Sequence, residues 1–153
     1  MIMKKIQIII LLVFSLSSAK GQNLSVPQYK DSLMKMMKIL REKQKLSRKL
    51  IITCIPSNDK EAFEFFMLDY NKSTSANFWK LFSLIEDKSK EGDLDIFDKY
   101  LMMSNYVDGY FAEHYFGTIE DMITVKKKMF CDEVSKISLA RVKRLDRYYS
   151  NCK

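Results

Sequence analysis

Apolar residues recur at intervals of three and four along most of this chain, which is the spacing of one face of an α-helix. Leu33, Met36, Met37 and Leu40 show the pattern clearly, with lysines at two of the positions between them. Residues that form tight turns are scarce, since 153 residues include four glycines and two prolines. An all-β chain needs many such turns. The sequence therefore predicts an all-α fold.

Boundary residues divide this pattern into five predicted helices. Pro56 ends the first, because proline interrupts a helix, and Gly92 and Gly117 have the usual position of a residue that follows a helix end. Asn58 followed by Glu61 has the form of a capping box, which indicates the start of the second helix. The predicted helices are 28–54, 58–70, 76–89, 93–117 and 118–149. Short connections between them favour a single compact bundle.

Three places inside these spans weaken the helix prediction. Residues 50–53 could form a short strand, and the Asp-Gly pair at 108–109 could form a tight turn. The flanks of that pair lack the strict alternation of a hairpin, so we expect a helix with a kink there. The last helix is expected to bend near Ser138, because Leu139 and Val142 leave its apolar face.

Residues 1–21 have the three-part pattern of a secretory signal peptide. Basic residues come first, then an almost wholly apolar run, then mostly small residues up to Gly21. The apolar run is about half of the roughly 20 residues that a membrane-spanning helix needs. We expect cleavage after Gly21, with cleavage after Ala19 as the alternative. The mature protein, residues 22–153, is then a single helical domain without a transmembrane segment, secreted or periplasmic.

Charge is distributed unevenly along the chain. The formal net charge of +7 falls to +4 when the three lysines of the predicted signal peptide are removed. Residues 30–50 carry +6, residues 59–121 carry −8, and residues 122–153 carry +6. This order favours docking of the two basic segments on the acidic middle. The alternative is a basic face that binds an anionic partner. The candidate contact residues are Lys35, Lys38, Arg41, Lys45, Arg141, Arg144 and Arg147.

Three cysteines follow the signal peptide, and a secreted chain is expected to pair them. If the last helix continues to Tyr149, roughly 18 helical residues at about 1.5 Å each separate Cys131 from Cys152. A disulfide requires Cα atoms within about 7 Å. We therefore expect Cys54 to be one partner, with Cys152 as the other and Cys131 as the alternative.

Catalytic and metal-binding patterns are absent from the sequence. His114 is the single histidine, and its neighbour Glu113 cannot face it on a helix. No zinc-protease, paired-cysteine, nucleophile-elbow or phosphate-loop motif occurs. We expect no catalytic residue, no cofactor and no metal. The alternative is a small envelope hydrolase that uses buried carboxylates and His114.

Aromatic residues are concentrated between positions 100 and 116. Tyrosine suits places where one end of the side chain is dry and the other wet, so Tyr106 and Tyr110 are candidates for an aromatic contact surface. Core packing would also explain these residues. The sequence thus favours a small exported helical protein that binds another protein or an anionic envelope component. Export argues against nucleic acid as the partner.

Overall fold

The computed structural model describes residues 24–137 and 142–152, and these ranges contain helices and no strand. The all-α fold class is confirmed. The predicted signal peptide and Arg141 lie outside the described residues. The α-helices are α1 (Val26–Arg41), α2 (Arg48–Cys54), α3 (Asp59–Tyr70), α4 (Ser75–Glu91), α5 (Leu94–Met102), α6 (Gly109–Lys136) and α7 (Asp146–Tyr149). Single 3₁₀ turns occupy Met103–Asn105, Lys143–Leu145 and Ser150–Cys152.

Several predicted helix boundaries are confirmed. The Asn58 side chain accepts a hydrogen bond from the Glu61 backbone N–H at 3.0 Å, and the Glu61 carboxylate accepts from the Ser57 N–H at 2.8 Å. Gly92 ends α4 with φ at +97°, a conformation that favours glycine. The first predicted helix, 28–54, is wrong as a single span, because α1 ends at Arg41 and α2 begins at Arg48. The strand considered at 50–53 is also wrong, because these residues lie in α2. Local capping chemistry is therefore sufficient to place these helix ends.

The boundary predicted at Gly117 is wrong. Helix α6 starts at Gly109 and runs through Gly117 and Thr118. The Asp-Gly pair is therefore a helix start and not the kink that we expected inside a continuous helix. A glycine inside a helix costs about 1 kcal/mol, which burial of the surrounding turns outweighs. The Thr118 hydroxyl does not cap a helix; it donates a buried hydrogen bond to Glu86.

Helix α4 occupies the centre of the bundle. It packs against α1, α3, α5 and α6. Its buried face carries Phe78, Leu81, Phe82 and Ile85, each no more than 1% exposed. Full burial of such side chains contributes roughly 1.5–3 kcal/mol each, so this face stabilises the whole bundle. None of the helices in the described ranges is long and apolar enough to span a membrane.

The disulfide prediction is wrong. Cys131 and Cys152 form the bond, with Cα atoms 5.4 Å apart, and Cys54 is a buried free thiol. Helix α6 ends at Lys136 rather than continuing to Tyr149. The short helical turns after residue 142 then bring the chain back against α6. The sulfur atoms therefore meet between α6 and the C-terminal turns.

The free thiol gives a direct test of this pairing. Burial raises the pKa of Cys54 to about 12, because the thiolate would lose its hydration. We expect iodoacetamide at pH 8 to modify Cys54 at least about a hundredfold more slowly in the folded protein than in guanidinium chloride, since only the thiolate reacts. Intact-mass measurement over time provides the rates. Non-reducing peptide mapping that links Cys54 to either other cysteine would contradict the structure.

Candidate functional site

An exposed apolar stripe runs along α3. Phe63, Met67 and Tyr70 are 64%, 44% and 75% exposed. Spacings of four and three residues place them on one helical face. Tyr110, at the start of α6, is 63% exposed. We call these four residues the aromatic surface.

Aromatic rings beneath this surface connect its two parts. Phe66 of α3 and Phe111 of α6 have ring centroids 4.8 Å apart. Trp79 of α4 stacks on Phe111 at 5.9 Å and meets Tyr110 edge-on at 5.5 Å. The Trp79 indole N–H donates to Asp69 at 2.8 Å. Tyr110 therefore rests on a packed aromatic layer that includes Phe66 of α3.

A groove of about 410 Å³ lies between α3 and the turn before α6. Its described lining consists of Asp59, Ala62, Phe63, Phe66, Met67, Tyr70, Asn105, Tyr106 and Asp108. The Tyr106 hydroxyl donates to the Ser57 carbonyl at 2.9 Å, which fixes the turn to the start of α3. Asp59 and Asp108 are both exposed. The groove therefore combines apolar walls with two carboxylates.

The candidate basic residues fall on two parts of the bundle. Lys35, Lys38 and Arg41 are exposed on α1, and Lys45 is exposed in the connection to α2. Lys38 and Arg41 also line a smaller groove of about 280 Å³. Helix α1 packs on α2, α3 and α4, whereas the C-terminal turns pack on α6 and the 103–105 turn. A binding role for these residues remains a prediction.

Arg144 and Arg147 have structural contacts of their own. Both guanidinium groups lie over the Phe116 ring, 5.0 and 5.2 Å from its centroid. Arg144 also donates to the backbone carbonyls of Ser104 and Val107. These contacts attach the C-terminal turns to the bundle. This structural role explains the two arginines without a binding partner.

His114 pairs with a carboxylate that the sequence analysis missed. Its Nε2 lies 3.1 Å from Oε2 of Glu86, whose side chain is 7% exposed. Oε1 of Glu86 accepts hydrogen bonds from Tyr100 at 3.0 Å and from Thr118 at 2.8 Å. The histidine side chain is 40% exposed and meets the Trp79 ring edge-on. A carboxylate that orients a histidine is one component of a general base.

The sequence contains signals for two features that were not predicted from it, the buried Glu86 and the exposed apolar stripe of α3. Glu86 follows Phe82 by four residues, so it falls on the apolar face of α4 and is buried there. Helix α3 is apolar on more than one face, since Phe63 and Met67 lie away from the buried Phe65. A helix with apolar residues beyond its buried stripe indicates a second contact.

Two further carboxyl groups lie together between α5 and α6. Burial raises the pKa of Asp98, and the neighbouring Glu133 carboxylate raises it further. Glu133 is 4% exposed and accepts from the Lys136 ammonium. Two other carboxylates have structural roles: Glu61 caps α3, and Glu64 pairs with Lys30 at 3.0 Å. Within the described ranges, no cluster of three or more potential metal-ligating side chains occurs.

Comparisons with known proteins yield no match to a family model, to a curated protein or to a solved structure. The function is therefore argued from the contacts and charges described above.

The raised pKa of Asp98 predicts a pH-dependent effect on stability. The folded state favours the protonated acid, so its contribution is present below the ordinary pKa of about 4 and is lost at higher pH. We expect Asp98→Asn, which mimics the protonated form, to raise the free energy of unfolding at pH 7 by about 1 kcal/mol or less. The gain should disappear below about pH 4.

Urea denaturation at pH 7 and below about pH 4 measures the difference in unfolding free energy between Asp98→Asn and the unchanged protein. Asp121→Asn, at an exposed carboxylate of α6, is the control and should change little at either pH. Destabilisation of Asp98→Asn at pH 7, or an equal gain at both pH values, would contradict the assignment.

Proposed function

We propose that this protein is an exported binding protein and that the aromatic surface contacts another protein. The observation that carries the proposal is the exposure of Phe63, Met67 and Tyr70 on one face of α3 and of Tyr110 over a packed aromatic layer. Contiguous apolar patches on a protein surface are characteristic of interaction sites. Tyr and Phe are also enriched at the centres of interfaces.

The disulfide supports the proposed location. Bonds between cysteines persist in oxidising compartments such as the periplasm or the extracellular space. The pair at Cys131 and Cys152 is compatible with such a compartment. Together with the predicted signal peptide, it is the reason for proposing export.

The basic residues of α1 favour a different partner, an anionic envelope component. Lys35, Lys38 and Arg41 are exposed, but exposed lysines and arginines are ordinary on a helix surface that faces water. Exposed Phe and Tyr side chains grouped within two turns are less common. We therefore prefer the aromatic surface as the principal contact.

Site-specific photo-cross-linking tests this proposal. A benzophenone amino acid at Tyr70 should capture a defined protein from the envelope of the producing cell. The same group at Val125, which is 77% exposed on α6, is the matched control and should capture little. Adding Phe63→Asp to the Tyr70 probe should lower capture about tenfold or more, because an interface anchor contributes about 2 kcal/mol or more.

Two controls make the result decisive. Phe63→Asp should change the free energy of unfolding by only about 0.5 kcal/mol, since its side chain is exposed. Neutralising Lys35, Lys38 and Arg41 to Gln should leave capture at Tyr70 intact. Equal capture from Tyr70 and Val125, or loss of capture in the glutamine variant alone, would contradict the proposal.

A second candidate function, a small envelope hydrolase, rests on the pair of His114 with Glu86. The buried carboxylate would orient the imidazole, and the imidazole would accept a proton from an attacking nucleophile. It ranks second because Glu86 also receives hydrogen bonds from Tyr100 and Thr118. These hydrogen bonds hold helices together, and that structural role requires no reaction.

Hydrolysis of envelope polymers by the purified protein tests the second candidate. If the pair is catalytic, His114→Ala should lower turnover by about a hundredfold or more. If the protein acts by binding, as we propose, no turnover above background is expected, and His114→Ala should retain capture at Tyr70 within about twofold. Histidine-dependent turnover would favour the hydrolase.

A further inference from the structure

The groove beside the aromatic surface has a chemistry that specifies its partner. Apolar walls come from α3, and the exposed carboxylates of Asp59 and Asp108 belong to its lining. Among the described residues, neither carboxylate forms a salt bridge, and the described lining contains no lysine or arginine. The negative charge at the groove is therefore not neutralised by adjacent lining side chains.

The charge of the surrounding segment has the same sign. Residues 59–121, which include α3, α4, α5 and the first half of α6, contain fourteen acidic residues and six lysines. A negative surface attracts cationic partners and repels anionic ones. A partner that places apolar side chains on α3 should therefore carry positive charge at its edge.

The form of the stripe indicates the partner's secondary structure. Tyr70 follows Phe63 by seven residues, a rise of about 10 Å or two helical turns. Helix α3 uses its backbone groups internally, so it offers a partner side chains and no open strand edge. A partner helix likewise satisfies its own backbone, whereas an extended segment would find no strand edge on α3 to pair with.

We infer that this groove binds an amphipathic helix of a partner protein, apolar on one face and edged with lysine or arginine. The inference depends on the proposed function, since it names the class of partner for the same surface. Apolar side chains of that helix would lie between Phe63, Met67 and Tyr70. Its cationic side chains would reach Asp59 and Asp108.

Two synthetic helical peptides with the same apolar face test the inference. One carries lysine and arginine at the edges of that face, and the other carries glutamate at the same positions. Fluorescence anisotropy with the purified protein measures the affinity of each. We expect the basic peptide to bind about tenfold more tightly or better, because charge pairs at the rim add to a shared apolar contact.

Variants assign this preference to named residues. Replacing Asp59 and Asp108 together by Asn should bring the affinities of the two peptides to within about threefold. Asp121→Asn, at an exposed carboxylate outside the groove, is the matched control and should keep the full preference. Replacing Phe63 and Tyr70 together by Ala should weaken binding of both peptides by about tenfold or more.

The outcomes distinguish this inference from the proposed function. Equal binding of both peptides, sensitive to Phe63 and Tyr70 but not to the aspartates, overturns the inference and leaves the aromatic surface as a binding site. Binding of neither peptide overturns it too, and the cross-linking at Tyr70 then decides the proposed function alone. Sedimentation that shows a dimer lost on Phe63→Asp would assign the stripe to a second copy of this chain and overturn the inference.

Discussion

The buried carboxylate of Glu86 constrains the arrangement of three helices. A polar group away from water is costly unless hydrogen bonds satisfy it. Here Tyr100 of α5 donates to it, and Thr118 and His114 of α6 complete its contacts. A shift of α6 by one residue would rotate Thr118 and His114 by about 100° relative to Glu86. The hydrogen bonds therefore favour the observed register of the helices on α4.

The position of the aromatic surface follows from this register. Thr118 and His114 are one turn apart on α6, and Phe111 and Tyr110 lie about one turn further toward its start. With the first two at Glu86, Tyr110 and Phe111 lie beside Trp79, and Phe111 also contacts Phe66 of α3. The same register of α6 on α4 thus accompanies both the hydrogen bonds of Glu86 and the ring contacts beneath the aromatic surface.

Sequence reasoning recovered what depends on local chemistry. The apolar spacing established the helical class, and Asn58 and Gly92 marked helix ends through side-chain capping and positive φ. It failed at Gly117, where burial of the flanking turns outweighs a local signal for a helix end. The cysteine pairing failed for a related reason, because it assumed a helix through residue 138 onward to Tyr149. When no capping residue marks a helix end, tertiary contacts decide where the helix stops. A single sequence does not show those contacts.

The aromatic surface includes residues that the sequence analysis singled out and residues that it did not. Tyr110 was a candidate from the sequence, whereas Phe63 and Met67, which form a second apolar face of α3, were not singled out. Only the folded arrangement shows that α3 buries Phe65 and leaves the opposite residues uncovered. Folding stability gains nothing from apolar side chains that stay in water, and such side chains favour aggregation. A second apolar face on a helix that already has a buried one is therefore best explained by contact with another molecule.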